Sequence, residues 1–181
     1  MGRYFLAIPL AEAIQDDLLA VQPPHAPGIR LIPKEELHLT LHFLGAVSPS
    51  KLDVAVAALK AVEIKIFTMT VQGVGTFPPK GPPTVLWAGV VNCAPLMELH
   101  REVGNALSMA IAFQPESRPY SPHITLARLK PSVSPGLVDR FLQANLDLQI
   151  PAVRLTKLIL FSSVLKENAA HYERVQVFPF L

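Results

Sequence analysis

The chain has a single cysteine, Cys93. No intrachain disulfide can form, and the composition fits a reducing cytoplasm. Cys93 has no visible catalytic partner and is expected to be buried. Charge is scarce as well: Asp, Glu, Lys and Arg make up 17% of the 181 residues, and the formal net charge is +2. So weak a field excludes bulk capture of nucleic acid, and any such recognition has to come from a local site. Long hydrophobic runs are missing too. Tyr4 to Leu10 is too short to span a bilayer, ends near Pro9, and meets Glu12, Asp16 and Asp17 instead of a cleavage site. Gly2 does not open a myristoylation signal, because Leu6 stands where Ser or Thr is needed. No low-complexity segment or flexible linker divides the chain. These absences predict a cytoplasmic, soluble protein with no membrane contact and no obligate partner, a monomer folded as one unit over residues 1–181.

What is present is a large apolar fraction, 50% of residues, enough to bury a sizeable core. The 18 prolines gather at segment edges such as Pro23-Pro24, Pro78-Pro79 and Pro82-Pro83, and read as stiffened loops. Strands are predicted at Tyr4–Ile8, Leu37–Leu44, from Ile64 to Val74, at Val85–Val90, His123–Leu129, Val153–Phe161 and Tyr172–Phe178. The polar segment Lys166–Ala170 is expected to turn between the last two. Apolar residues at helical spacing predict helices from Ala11 to Val21, from Ser48 through Val62, over Leu96–Ile111, and from Ser134-Pro135 to about Asn145. Ser48, Ser50 and Ser134 are candidate N-cap residues. Strands and helices do not alternate regularly, which favours an α+β class over a doubly wound sheet.

One pattern recurs. The order helix, strand, helix occurs twice, and each central strand carries the same tetrapeptide form, His38-Leu39-Thr40-Leu41 and His123-Ile124-Thr125-Leu126. Half a chain separates them, as expected of two similar lobes facing each other. Alternation along a strand places His38 with Thr40, and His123 with Thr125, on one face, with Leu39, Leu41, Ile124 and Leu126 in the core. Two imidazoles and two hydroxyls around one cleft suit phosphoryl chemistry. Opening a cyclic phosphate needs a base on the attacking water and an acid on the departing oxygen, and histidine titrates near neutral pH. Hydroxyl donors can stabilise the non-bridging oxygens. No metal or other cofactor is required.

A zinc site is the chemical rival, because His38 and His42 are four residues apart, the spacing of a helical metal pair. On a strand that spacing separates the Cα atoms by roughly 13 Å, too far for one ion. His25, His100 and His171 lie in polar or loop contexts and read as surface residues.

With these motifs in their context, the chain resembles the two-histidine phosphoesterases, and within them the RNA 2′,3′-cyclic phosphodiesterases, also called 2′-5′ RNA ligases. The resemblance runs through Arg3–Ile8, Leu37–Gly45, Gly73–Pro78, Val85–Trp87, Ser121–Arg128, and Leu160–Ser163 with Tyr172. It implies a bilobal α+β fold, two pseudo-symmetric lobes each with an antiparallel sheet and helices, and a cleft between them holding both motifs. It implies His38 as proton donor to the leaving 3′ oxygen and His123 as proton acceptor from water, leaving a 2′-phosphomonoester. Thr40 and Thr125 would hold the phosphate, and Arg128 matches an arginine that contacts substrate. The implied partner is RNA ending in a 2′,3′-cyclic phosphate, or a small cyclic nucleotide. The reverse reaction, 2′-5′ RNA ligation, and a non-catalytic nucleotide- or RNA-binding module are the alternatives.

Strict alternation places Arg128 on the face opposite His123, so its role requires a bulge or a strand end. The same alternation puts Phe43 on the Leu39 face, as core. His42 reads as a solvated strand residue or as a contact to RNA phosphate at low pH. Arg30, Lys34, Lys80, Arg118 and Lys130 are placed to edge the cleft electrostatically.

Overall fold

A computed structural model describes residues 2–91, 93–166 and 169–181. The elements run β1 (Gly2–Pro9), α1 (Glu12–Ala20), β2 (Ile29–Leu31), a 3-10 turn (Lys34–Glu36), β3 (His38–Val47), α2 (Pro49–Lys60), β4 (Phe67–Phe77), β5 (Val85–Val90), α3 (Ala94–Ile111), β6 (His123–Leu129), α4 (Pro135–Ala144), β7 (Gln149–Leu155), β8 (Lys157–Lys166) and β9 (Ala169–Pro179). β5 and β6 have the bounds read from the sequence, and the helices fall within a few residues of theirs. α3 shows why: Leu96, Leu99, Val103 and Leu107 recur on one face, and all are buried. Pro49 and Pro135 open α2 and α4, where a missing N–H costs nothing. The serine caps do not form as expected. Neither Ser48 nor Ser134 makes a side-chain cap hydrogen bond, and Ser50 lies inside α2.

All paired strands are antiparallel, in the order β7-β4-β5-β6-β3-β1-β8-β9, with short β2 alongside β6. The order explains one departure from the sequence reading. Val153–Phe161 is not one strand but the end of β7 and the start of β8, parted at Thr156, because β7 pairs with β4 and β8 with β1 in the other half of the sheet. β2 was not legible at three residues long. Glu167 and Asn168, in the expected turn after Lys166, lie outside the described residues.

The sheet is symmetric in plan about the boundary between β3 and β6. β1 flanks one central strand and β5 the other, and the successions β1-α1-β3-α2 and β5-α3-β6-α4 match in chain order. β3 and β6 meet through one register pair, Leu39 opposite Ile124, and β2 continues the junction along β6 from Leu31 opposite Ala127. Leu39 and Ile124 are fully buried, together with Leu6, Ile8, Leu86 and Leu126. Each such side chain contributes about 2 kcal/mol of burial. α3 packs behind β3, and α1 touches β7. The opposite face of the central strands is left for the site.

Candidate active site

The two central strands carry the same burial order. From His38 to Phe43 and from His123 to Arg128 it runs half-buried, buried, half-buried, buried, buried, exposed. Two buried residues in succession break the alternation, and the pairing shows how. On β3, Thr40 lies opposite Ala7 and His42 opposite Leu6, so Leu41 is an extra residue. On β6, Thr125 lies opposite Trp87 and Ala127 opposite Leu86, so Leu126 is extra. Each strand therefore bulges one residue past its threonine, and parity resets there. Arg128, opposite Val85, shares the His123 and Thr125 face and lines the cavity.

The same bulge overturns two other readings. Phe43 is not core; it is 57% exposed and lines the cavity. His42 is not solvated and does not reach toward a phosphate; it is 5% exposed and points to the helix side. There its Nε2–H donates to the His100 carbonyl at 2.8 Å, and its ring stacks on His100 at 4.1 Å. A Cβ at Gly104 would come within 3.2 Å of the His42 ring, so the ring packs closely on α3 there. His100 is thus no free surface residue, since its other face stacks on Tyr120 at 4.0 Å. With His38 and His42 on opposite faces, they cannot share a metal ion. Among the described residues no three His, Cys, Asp or Glu side chains converge as ligands.

His38, Thr40, His123, Thr125 and Arg128 all line one open cavity of about 480 Å³. The histidines are held alike. His38 Nδ1–H donates to the Glu36 carbonyl at 2.6 Å, and His123 Nδ1–H donates to the Ser121 carbonyl at 2.7 Å. A carbonyl only accepts, so both rings keep their proton on Nδ1 and leave Nε2 to exchange protons with a ligand. The packing around them differs. His38 sits among Phe5 (5.2 Å), Tyr172 (5.7 Å) and Phe161 (6.3 Å). His123 lies edge-on to Phe77 at 4.8 Å and 6.4 Å from Trp87. Trp87 lies flat over Gly75, where any Cβ would meet its ring.

Burial, above all, lowers the pKa of His38 to about 4, with His123 and Arg128 pushing the same way against the Glu36 hydrogen bond. His123 is lowered too, again first by burial and then by Arg128. Both rings are therefore biased towards the neutral form at pH 7. Arg128 is exposed and lines the same cavity, so it brings a positive charge to the site.

The cavity also contains residues to which the sequence reading gave no role. Glu36 lines it with Oε2 buried and unpaired, and burial raises the pKa of its carboxyl. Phe5, Phe77, Tyr172 and Ser163 complete much of the wall. The one available signal was the doubled motif itself: a bulge that brings Arg128 inward predicts the same for Phe43. Of the peripheral cations, Arg30 stands opposite Arg128 across β2 and β6, whereas Lys34 is tied to Glu12 and Asp16. Lys80, Arg118 and Lys130 do not line the cavity. Cys93 is half-buried rather than buried. His25 and His171 are exposed as expected. No helix among the described residues is long and apolar enough to cross a membrane.

Comparison with known proteins places these features in a group. A family model described as LigT-like phosphoesterase matches residues 8–87 and again 91–171, one match per half. An RNA 2′,3′-cyclic phosphodiesterase of Geobacillus stearothermophilus is 29% identical over 99% of the chain, which spans 58% of that protein's length. One from Methanocaldococcus jannaschii is 31% identical over 96% of the chain and 98% of its own length. The crystal structure of Escherichia coli LigT complexed with 3′-AMP superposes with a TM-score of 0.77 at 25% identity, covering 99% of this chain and 98% of that one.

Proposed function

The chain belongs to the LigT-like phosphoesterase family, and from that premise we propose that it hydrolyses a terminal RNA 2′,3′-cyclic phosphate to a 2′-phosphomonoester. The observation that carries this reading is the matched pair of imidazoles. His38 and His123 line one cavity, and each has its Nδ1 proton committed to a backbone carbonyl and its Nε2 free. The relatives named for this activity support it.

The chemistry follows from the charges. A cyclic phosphodiester is an anion, and its arrival beside two neutral imidazoles raises the proton affinity of both. One proton enters with it. His38 Nε2–H is the general acid and protonates the departing 3′ oxygen. His123 Nε2 is the general base and takes a proton from the attacking water on the far side of phosphorus. The Thr40 and Thr125 hydroxyls donate to the non-bridging oxygens, and the Arg128 guanidinium balances the charge that builds there. The exposed Phe43 ring gives the nucleoside an apolar surface.

Incubation with a 2′,3′-cyclic mononucleotide in EDTA, followed by phosphorus NMR, is expected to give a 2′-monoester. A lack of product, or equal turnover by His38→Ala and His123→Ala variants, would refute the reading. The two roles separate with a substrate whose bridging 3′ oxygen is replaced by sulfur, a leaving group that needs no acid. It is expected to restore turnover to His38→Ala and not to His123→Ala.

A further inference from the structure

We propose that Gln22 is a positioning residue for this reaction, its side-chain amide fixing the kink in β6 that turns Arg128 into the cavity. The proposal rests on the reading above, in which Arg128 meets the substrate phosphate.

β6 changes partner along one edge. Residues 127–129 pair with β2, whereas Ile124 pairs with β3. Thr125 and Leu126, between the two partners, are where the strand bulges away from β5. A changeover and a bulge at the same place leave the local backbone without a continuous ladder to define it. Gln22, just past the end of α1, fills the gap. Its Nε2 donates to the Ile32 carbonyl at 2.7 Å and to the Leu126 carbonyl at 3.0 Å. The Ile32 N–H also donates to the Leu126 carbonyl at 3.0 Å. One nitrogen with two hydrogens thus ties the residue following β2 to the extra residue of β6. Both partners are carbonyls, which settles which end of the amide faces them.

The other half has a counterpart. The Thr40 carbonyl, next to the extra residue Leu41, accepts a hydrogen bond from the Tyr120 hydroxyl at 2.8 Å. Gln22 follows α1 and braces β6; Tyr120 follows α3 and braces β3. The two braces are not the same in detail, since Gln22 holds the extra residue itself and Tyr120 the residue before it, but in each strand a side chain from a distant loop bonds the backbone at the bulge. In β6 that brace decides where a guanidinium points.

The test is a double-mutant cycle with Gln22→Met and Arg128→Ala, following kcat/KM on a 2′,3′-cyclic mononucleotide and the Kd for inorganic phosphate by calorimetry. Gln22→Met is expected to lower kcat/KM about tenfold in the parent protein and less than twofold once Arg128 is gone, because positioning matters only while the guanidinium is present. Equal losses in both backgrounds overturn the proposal. Should Gln22→Met fail to fold, Gln22→Asn, which draws the amide back by one methylene, carries the same cycle. A parent protein that does not turn over the cyclic phosphate removes the reading of function instead. The phosphate Kd cycle still decides the proposal then: coupled losses uphold it and additive losses sink it.

Discussion

β3 and β6 are built to one plan and deliver different chemistry. Both begin with a histidine pinned by the carbonyl two residues before it, both bulge just past a threonine, and both show the same burial order over six residues. The third side chain facing the cavity is an aromatic ring on β3, Phe43, and a cation on β6, Arg128. Behind the sheet, His42 on β3 takes the place of Ala127 on β6. A duplicated scaffold thus fixes where the groups stand, and single positions on it decide what each side of the phosphate meets. At this one position the β3 side offers the phosphate's neighbourhood a ring and the β6 side a positive charge.

The comparison breaks most severely at the histidines. His38→Ala and His123→Ala should each lower kcat on a 2′,3′-cyclic nucleotide by about 10³-fold, within the usual range for an acid or base, with the circular dichroism spectrum unchanged. A variant losing less than tenfold would show that its half has no part in proton transfer. Next comes the position that distinguishes the strands. Arg128→Phe, which makes β6 resemble β3, should cost about 10²-fold in kcat/KM, as for one oriented donor to a developing charge. Phe43→Ala should cost less than tenfold on a mononucleotide. If the order of these two losses were reversed, the cation would not be serving the phosphate.

Smaller effects sharpen the picture. Thr40→Ala and Thr125→Ala should each cost about tenfold in kcat/KM, matching roughly one hydrogen bond of about 1.5 kcal/mol, and the two losses should agree within a factor of three. A large inequality would mean that the phosphate leans on one half. The pH profile gives a further check. Burial lowers both histidines below their usual value, His38 to about 4, and the active free enzyme carries one proton on the pair. The maximum of kcat/KM should therefore lie below pH 6.5. The kcat profile, taken with the anion bound, should be displaced to higher pH. A kcat/KM maximum above pH 7 would contradict the packing described around the rings.

The mildest effect belongs to the face behind the site. Burial holds His42 below its usual pKa, against the His100 carbonyl and Glu116, and burial with the neighbouring His42 lowers His100 to about 4. The unfolded chain takes up protons first as pH falls. The stability these neutral rings contribute is complete above about pH 6.5 and is lost progressively towards pH 4. Urea melts from pH 7 to 4 should show this slope, and His42→Leu should flatten it. An unchanged slope would mean that His42 does not titrate with unfolding.

Much of this was legible in the sequence and one class of feature was not. The doubled His-x-Thr pattern gave both strands, the pair of imidazoles and the threonines, because strand period and motif agree locally. Arg128, Phe43 and His42 could not be placed by the same rule, and all three turn on the extra residues Leu41 and Leu126. A bulge is defined by which residue of a neighbouring strand lies opposite, and β1 and β5 are far away along the chain. Leucine at the extra position looks like any core leucine. Gln22 was invisible for the same reason, since its partner Leu126 is 104 residues distant.

The single register pair between β3 and β6, Leu39 opposite Ile124, has a mechanical meaning. Each histidine stands one residue before this pair on its own strand, so the spacing of β3 from β6 here bears directly on the gap between acid and base. A bulkier or slimmer pair there would retune the span available to phosphorus without touching any group that meets it.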